Sequence, residues 1–239
     1  LISNDQAMTV VITIVLINCS LYITSNLLIY FFKYDIGGAG WNADYVLFNT
    51  FGGGIQIISM MLFYPLFRKF ISAMQVFYVS FVMAIGGYAV LLALMFTNHT
   101  NIYILMIPGF FIFTAFGMLT VLTTVFLANT VDYGELKNNR RDESVIFSMQ
   151  TFVVKLASGV AAMIASICLT ISNISNDTST EAAAMVSDSY TSVAVLRMTM
   201  TVLPIIGLLV AVFIFAKKYI LTDEKLGEIN QELAHRHKA

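Results

Sequence analysis

The segment from Asn129 to Ser158, NTVDYGELKNNRRDESVIFSMQTFVVKLAS, organises the sequence because a run of charged residues leads directly into a long apolar stretch. The apolar stretch contains one lysine, Lys155, well inside it. A charged side chain at the centre of a membrane span costs roughly 2.5–3.5 kcal/mol on insertion scales. Such a lysine is therefore rarely present without a use, and we treat it as the first candidate functional residue.

Composition predicts an integral membrane protein. The 239 residues are 58% hydrophobic and 11% charged, and the mean hydropathy is +0.81. A soluble domain of this length could not bury so much apolar surface. The net charge of −1 argues against a nucleic-acid-binding protein. Cys19 and Cys168 both lie in apolar runs and are expected to be small buried side chains, not a disulfide or a metal pair.

Six apolar runs are long enough to cross a bilayer as helices, which need about 20 residues at 1.5 Å per residue. Backbone polar groups cannot stay unpaired in lipid, so we expect continuous helices forming an all-α six-helix bundle over residues 1–219. The predicted spans are about 7–32, 45–67, 76–96, 102–128, 145–171 and 193–216. Residues 220–239 are predicted to be a cytoplasmic tail, with a short amphipathic helix carrying Leu226, Ile229 and Leu233 at helical spacing.

Basic residues at the ends of the spans predict the orientation. Most of them follow the second, fourth and sixth spans, whereas the opposite loops hold Lys33 and Arg197 among several acidic residues. By the positive-inside rule, both ends of the chain are expected in the cytoplasm of a bacterial-type inner membrane. The segment 173–190, rich in Ser, Thr and Asn, is expected to be an extracytoplasmic loop. The first apolar run is too long for a signal peptide, and we expect that Leu1 is not the natural start of the protein.

Lys155 lies on a face of small and polar residues when the fifth span is drawn as a helix. This face predicts that the lysine points into the bundle interior or a water-filled cavity, where its ammonium needs a negative partner. No span contains an acidic residue in its interior, so the partner is a loop carboxylate, a ligand or a group outside this chain. A static ion pair is the structural alternative. The face comprises Ser148, Thr151, Ser158, Gly159, Ala162 and Ser166.

Other polar residues allow both structural and functional readings. The charged segment 132–143 is either a salt-bridge latch that changes between conformational states or a solvated turn that sets topology. Asn18 in the first span and Thr120 in the fourth are candidate ligand contacts, although such residues more often bond helix to helix. The triple glycine after Phe51 is expected to serve packing or a hinge. No metal-ligand spacing, nucleotide-binding loop or nucleophile–base pair is present, which argues against an enzyme.

The motif Val131-Asp132-Tyr133-Gly134-Glu135, followed by Arg141, Glu143 and then QTFVVK at 150–155, resembles the glycoside–pentoside–hexuronide:cation symporter family. The similarity covers the whole chain as the C-terminal half of such a transporter. It implies the major facilitator fold, in which a second, N-terminal six-helix half supplies most of the carboxylates that bind the cation and the sugar. It also implies a sugar or glycoside substrate carried with Na⁺, Li⁺ or H⁺ and no further cofactor.

The resemblance also assigns roles to residues. Lys155 corresponds to a lysine beside the sugar and cation sites, Thr151 to a threonine near the cation, and Gln150 and Val154 to neighbours of that pocket. The motif residues Asp132, Tyr133, Gly134, Glu135, Arg141 and Glu143 correspond to a cytoplasmic gate. Asn129 and Thr120 depart from the family's best-known member, which has an acidic and an aromatic residue there.

The sequence therefore predicts a cation-coupled sugar symporter that works by alternating access. Two alternatives remain open. One is transport of a non-sugar solute such as a lysolipid, and the other is a transporter-like sensor that binds its ligand without moving it.

Overall fold

The structure, a computed structural model, describes residues 4–97, 101–138, 141–172, 174 and 190–236, and this part of the chain is built from helices without strands. Six helices are long and apolar enough to cross a membrane, which confirms the predicted six-helix bundle. They are α1 (Asp5–Tyr30, extended by a π-helical turn Phe31–Ile36), α2 (Trp41–Ile58, then a π-helical turn Ser59–Phe63 and a last turn Tyr64–Arg68), α3 (Ala73–Phe96), α4 (Ile102–Asn138), α5 (Glu143–Ile171) and α6 (Tyr190–Lys218). A seventh helix, α7 (Asp223–Arg236), follows them.

The charged segment after the fourth span is helix, which corrects the sequence-based boundary. The span was expected to end near residue 128, but α4 continues to Asn138 and α5 begins at Glu143. The segment from Asp132 to Lys137 therefore belongs to a helix and not to a loop. Hydropathy marks where a helix leaves the lipid, whereas helix formation depends on backbone hydrogen bonds, which continue through residues such as Glu, Leu and Lys that favour helix.

Two helices, α1 and α4, occupy the centre of the bundle, and the other four spanning helices pack around them. α1 packs against α5 and α6, and α4 packs against α2 and α3 while also touching α1. α1 and α4 are the most buried spans, whereas α2 and α5 each present a wide exposed face. The arrangement leaves one side of the bundle, bordered by α1, α2, α4 and α5, without a covering layer in the described residues.

Glycine permits close contact between α2 and α4. A Cβ atom on Gly117 would lie 2.7 Å from the Gln56 carbonyl oxygen, and one on Gly52 would overlap the Phe113 ring. Ser59, in the π-helical turn of α2, donates a hydrogen bond of 2.6 Å to the Thr114 carbonyl oxygen. Gly52 thus serves the packing role expected of the glycine run, since small residues let membrane helices approach.

Hydroxyl groups of α1 compensate for a proline in α6. Pro204 has no N–H to donate to the carbonyl of Met200, four residues earlier. Thr24 supplies that missing hydrogen bond, with its hydroxyl 3.1 Å from the Met200 oxygen, while the Tyr88 hydroxyl lies 2.7 Å from the same Thr24 oxygen. Ser20 bonds to the Pro204 carbonyl at 3.3 Å. These buried contacts connect α1, α3 and α6.

The tail helix α7 packs onto the extended end of α4. Ile229 and Leu233 are buried, and Leu226 is partly buried. Arg236 donates a hydrogen bond of 3.3 Å to the Leu136 carbonyl oxygen near the end of α4. The predicted loop at 173–190 lies outside the described residues except for its positions 174 and 190.

Candidate functional site

A cavity of about 490 Å³ opens on the uncovered side of the bundle, between α1, α2, α4 and α5. Each of these helices contributes residues at helical spacing, so that one face of each helix is turned to the same space. α1 contributes Asn18, Tyr22 and Ser25 together with three aliphatic side chains. The other lining residues are Asn49, Gly53, Gln56, Phe113, Thr120, Thr123, Gln150 and Val154.

The cavity surface combines neutral hydrogen-bonding groups with aromatic rings. Asn18 donates to the Ile14 carbonyl oxygen at 2.8 Å, and Gln150 donates to the Thr124 hydroxyl at 3.0 Å. Four other polar side chains of the lining make no side-chain hydrogen bond within the described residues and are available to a ligand; these are Tyr22, Ser25, Asn49 and Gln56. No Asp, Glu, Lys, Arg or His lines this cavity in the described part of the chain.

Four of the six predicted binding residues lie together at this cavity, namely Asn18, Thr120, Gln150 and Val154. Sequence reasoning missed the contribution of α2, where Asn49, Gly53 and Gln56 follow a spacing of four and three residues and so share one helix face. That spacing was visible in the sequence. Amides and glycines in a membrane span more often serve helix packing, so this spacing alone does not indicate a binding face.

Lys155 and Thr151 lie beside the cavity and do not line it. Both side chains are exposed on α5, next to Gln150 and Val154, which reach the cavity. Of the two predicted surroundings of Lys155, a bundle interior or a water-filled cavity, this bundle does not provide the first, because the side chain is exposed beside the cavity. Within the described residues, no carboxylate lies within ion-pair distance of its ammonium group. Thr151 donates to the Phe147 carbonyl oxygen at 3.3 Å, which leaves its oxygen lone pairs free.

The exposed surface of α5 is divided into two stripes of different chemistry. The predicted small and polar face, which includes Thr151, Lys155, Ser158 and Ser166, is exposed along its length. A second stripe consists of large apolar side chains that are also exposed: Phe152, Leu156, Met163 and Ile167. The polar stripe is continuous with the cavity, and the apolar stripe has the composition of a lipid-facing surface.

Arg141 gathers three carboxylates at the junction of α4 and α5. Its guanidinium lies 2.8 Å from Glu135, 3.1 Å from Asp132 and 3.2 Å from Glu143. The hydrogen bonds that Arg141 donates to Glu135 and then to Glu143 favour the charged guanidinium and raise the pKa of Arg141 above its ordinary value. Four of the six predicted gate residues therefore form one ion-pair network, whose role as a gate stays a prediction.

The other two motif residues face a different partner, the start of α1. The Tyr133 hydroxyl donates to Asp5 at 3.3 Å, and the Lys137 ammonium lies 2.6 Å from the same carboxylate. A Cβ atom on Gly134 would lie 2.6 Å from the Asn4 side-chain nitrogen, and that amide donates to the Thr130 carbonyl oxygen at 2.7 Å. The motif thus connects the end of α4 to both α5 and α1.

A buried ion pair at the opposite end of the bundle was not predicted. Arg197 of α6 and Asp35 of α1 form two hydrogen bonds of 2.6 and 2.7 Å. Their side chains are only 10% and 5% exposed. The Phe96 ring of α3 lies 5.7 Å from the guanidinium carbon. In the sequence these charges are 162 residues apart, and no local pattern pairs them.

Among the described residues, no group of three or more His, Cys, Asp or Glu side chains could hold a metal ion. The six spanning helices and the uncovered polar cavity define a multi-pass membrane protein of the transporter class. The family of MFS/sugar transport proteins matches residues 1–223. The chain belongs to this family, which confirms the predicted family and fold and its assignment to transporters and not to enzymes.

Several curated relatives carry transporter names. The lactose permease of Lactobacillus delbrueckii subsp. bulgaricus is 30% identical over 96% of this chain and 35% of its own length. The raffinose carrier protein of Pediococcus pentosaceus is 27% identical over 98% of this chain and 34% of its own length. An uncharacterized symporter, YjmB of Bacillus subtilis, is 25% identical over 97% of this chain and 47% of its own length. The chain thus spans about a third to a half of these relatives.

Proposed function

We propose that this chain forms the C-terminal half of a cation-coupled symporter for sugars or glycosides. The observation that carries the proposal is the neutral polar cavity. Its volume of about 490 Å³ lies in the range of small-molecule sites, roughly 300–1,000 Å³. Amides and hydroxyls that make no side-chain hydrogen bond within the described residues, placed beside Tyr22 and Phe113, suit a neutral, hydroxyl-rich solute. The names of the lactose and raffinose relatives support the same substrate class.

The uncovered side of the bundle supports the involvement of a second, N-terminal half. The four helices that border the cavity expose polar residues at membrane depth, including Lys155 and Thr151. Such residues face a bundle interior or a water-filled cavity in membrane proteins. A second six-helix half placed against this side would close the cavity and keep Lys155 out of lipid.

Lys155 and Thr151 are proposed to couple the cation to the sugar. A carboxylate of the other half would pair with the Lys155 ammonium when the cation site is empty and with Na⁺, Li⁺ or H⁺ when it is filled. Thr151 would add an oxygen ligand, which suits a small hard cation. Because both residues adjoin Gln150 and Val154 on the cavity wall, cation occupancy would change the sugar site directly.

The Arg141 network is proposed to act as a cytoplasmic gate during alternating access. The basic residues at its end of the bundle support placing that end in the cytoplasm of the cell membrane. At the opposite end Asp35 neutralises Arg197, so that end carries less positive charge than the end with the Arg141 network. The network would hold α4 and α5 together in one conformation and be rearranged in the other.

Uptake by the full-length parent in right-side-out vesicles tests this proposal. Radiolabelled lactose, raffinose, a pentoside and a glucuronide are offered with and without an imposed Na⁺ gradient. Accumulation that depends on Na⁺, or on a proton gradient in its absence, is the expected result. No concentrative uptake of any glycoside under either gradient would refute sugar symport and favour a non-sugar solute. Binding without accumulation would favour a sensor.

A further inference from the structure

A second cavity, of about 350 Å³, lies on the same side of the bundle between α1 and α5. Its lining includes Asn26 and Tyr30 from α1, and Ala162, Ser166 and Thr170 from α5. Both helices run from the Arg141 end towards this cavity. It therefore lies at the end of the bundle away from the ion-pair network, which is the extracytoplasmic end in the proposed orientation.

The chemistry of this second cavity is again neutral and polar. Within the described residues, the Asn26 amide and the Tyr30 hydroxyl make no hydrogen bond, so both are available to a ligand. Thr170 donates to the Ser166 carbonyl oxygen at 2.9 Å and keeps its lone pairs free. The Tyr30 ring lies parallel to that of Tyr34, with 6° between their planes and 6.3 Å between the ring centroids.

The two cavities adjoin on α1 and are separated along α5. On α1, Ser25 lines the first cavity and the next residue, Asn26, lines the second, so the two cavities use different faces of that helix. On α5 the nearest lining residues are Val154 and Ala162, and eight residues of helix correspond to about 12 Å. The exposed polar residues Lys155 and Ser158 lie between them on the same stripe, so a polar path connects the two.

We propose that the second cavity is an outer subsite that binds a neutral oligosaccharide separately from the central cavity. An amide, hydroxyls and an aromatic ring, with no Asp, Glu, Lys, Arg or His in the described lining, match the same class of solute as the central cavity. The proposal rests on the proposed sugar transport. It adds a second binding site, which adjoins the first on α1 and lies farther along α5.

Protection of an introduced thiol tests the subsite in the full-length parent. With Cys19 and Cys168 replaced by alanine, Ser166→Cys is labelled from outside by a membrane-impermeant maleimide, with lactose or raffinose present or absent. A second version carries Gly53→Trp, which fills the central cavity, because nothing lies within 4 Å of a Cβ atom at Gly53. Val154→Trp is an alternative block if Gly53→Trp does not reach the membrane.

The expected result is that sugar slows the labelling of Ser166→Cys severalfold both with an open central cavity and with Gly53→Trp, although the protein with Gly53→Trp no longer accumulates sugar. Thr97→Cys, at an exposed position just after α3 and at the same end of the bundle, is the control and should be labelled at the same rate with and without sugar. Adding Tyr30→Ala to Ser166→Cys should abolish the protection.

Three results would overturn the subsite: protection that disappears when the central cavity is blocked, equal protection of Thr97→Cys, or no labelling of Ser166→Cys. Parallel uptake measurements separate this proposal from the proposed function. Uptake without protection defeats only the subsite, whereas the absence of all glycoside uptake and of all protection defeats both.

Discussion

At the scale of single residues, Lys155 is the side chain on which the proposed coupling depends. Lys155→Val should reduce cation-driven sugar accumulation to background, because the carboxylate of the cation site would lose the positive charge that it exchanges for the ion. Accumulation in vesicles with an imposed Na⁺ gradient is the measurement, together with the amount of protein inserted in the membrane, which should not change.

Leu156→Val is the matched control for this substitution. Leu156 is the next residue of α5 and lies on its exposed apolar stripe, so its replacement should leave accumulation near the level of the unmodified protein. Normal accumulation by Lys155→Val would remove this lysine from the mechanism and leave it as a solvated charge beside the cavity.

Lys155 could be selected as a candidate from the sequence because the cost of a charge in lipid is a property of the residue itself. Its surroundings were not equally visible. Whether the polar face of α5 packs inside the bundle or stays open depends on where α1 and α4 lie, and that is decided by contacts between segments distant in sequence. The same holds for Asn49 and Gln56, which join the site only because α2 places them opposite Thr120.

At the scale of helices, the junction of α1 and α6 depends on the hydrogen bond that replaces the one lost at Pro204. Thr24→Val should lower the free energy of unfolding by about 1–3 kcal/mol, because it leaves the buried Met200 carbonyl without a donor. Thermal unfolding of the purified full-length protein in detergent measures the change. Thr13→Val is the control, since the buried Thr13 hydroxyl donates only to the Thr9 carbonyl in its own helix.

A double-mutant cycle separates this explanation from a general loss of packing. Pro204→Ala restores the backbone N–H that can donate to Met200, so Thr24→Val should cost clearly less in that background. Equal costs with and without Pro204 would show that the Thr24 hydroxyl does not act through this carbonyl.

The six helices could be predicted from the sequence because a long apolar run in lipid has few alternatives to helix. Their ends were less predictable. α4 continues ten residues beyond its predicted end at residue 128 because charged residues end the lipid-embedded part and not the helix itself. That extension places Asp132 and Glu135 three residues apart on one helix face, where Arg141 contacts both.

At the scale of the whole molecule, the buried pair of Arg197 and Asp35 fastens the first and last spans together. Asp35→Asn should destabilise the protein by on the order of 3–5 kcal/mol, because it removes the bidentate carboxylate from a buried guanidinium. Replacing both residues, as Asp35→Leu with Arg197→Met, should recover most of the loss. Thermal unfolding in detergent measures both changes.

The exposed pair of Lys225 and Glu228 in α7 provides a control for this prediction. Its ammonium and carboxylate lie 2.7 Å apart but both side chains are at least half exposed, so Glu228→Gln should cause no measurable change in stability.

The double variant of the buried pair, Asp35→Leu with Arg197→Met, gives the contradicting outcome. If it were as unstable as Asp35→Asn, the buried pair would contribute more to stability than charge compensation.

The ends of the bundle and the central cavity are far enough apart that gating and binding can be separated by mutation. Thr120 at the cavity and Asp132 at the network are twelve residues apart on α4, which corresponds to about 18 Å. Arg141→Glu should therefore lower the turnover rate of uptake much more than it weakens sugar binding, because it disrupts only the contacts that hold α4 to α5. Uptake kinetics and equilibrium binding of labelled lactose to the full-length protein measure the two effects.

A charge exchange shows whether the ion pairs themselves account for the effect. Arg141→Glu combined with Glu135→Arg restores opposite charges at the shortest contact of the network, 2.8 Å in the unmodified protein, and should recover part of the turnover rate. Arg141→Lys keeps the charge but cannot reach three carboxylates in the same geometry, so an intermediate rate is expected. The contradicting outcome is that Arg141→Glu weakens sugar binding as much as it lowers the turnover rate. That result would show that the network is needed for folding, because a gate about 18 Å from the cavity does not contact the sugar.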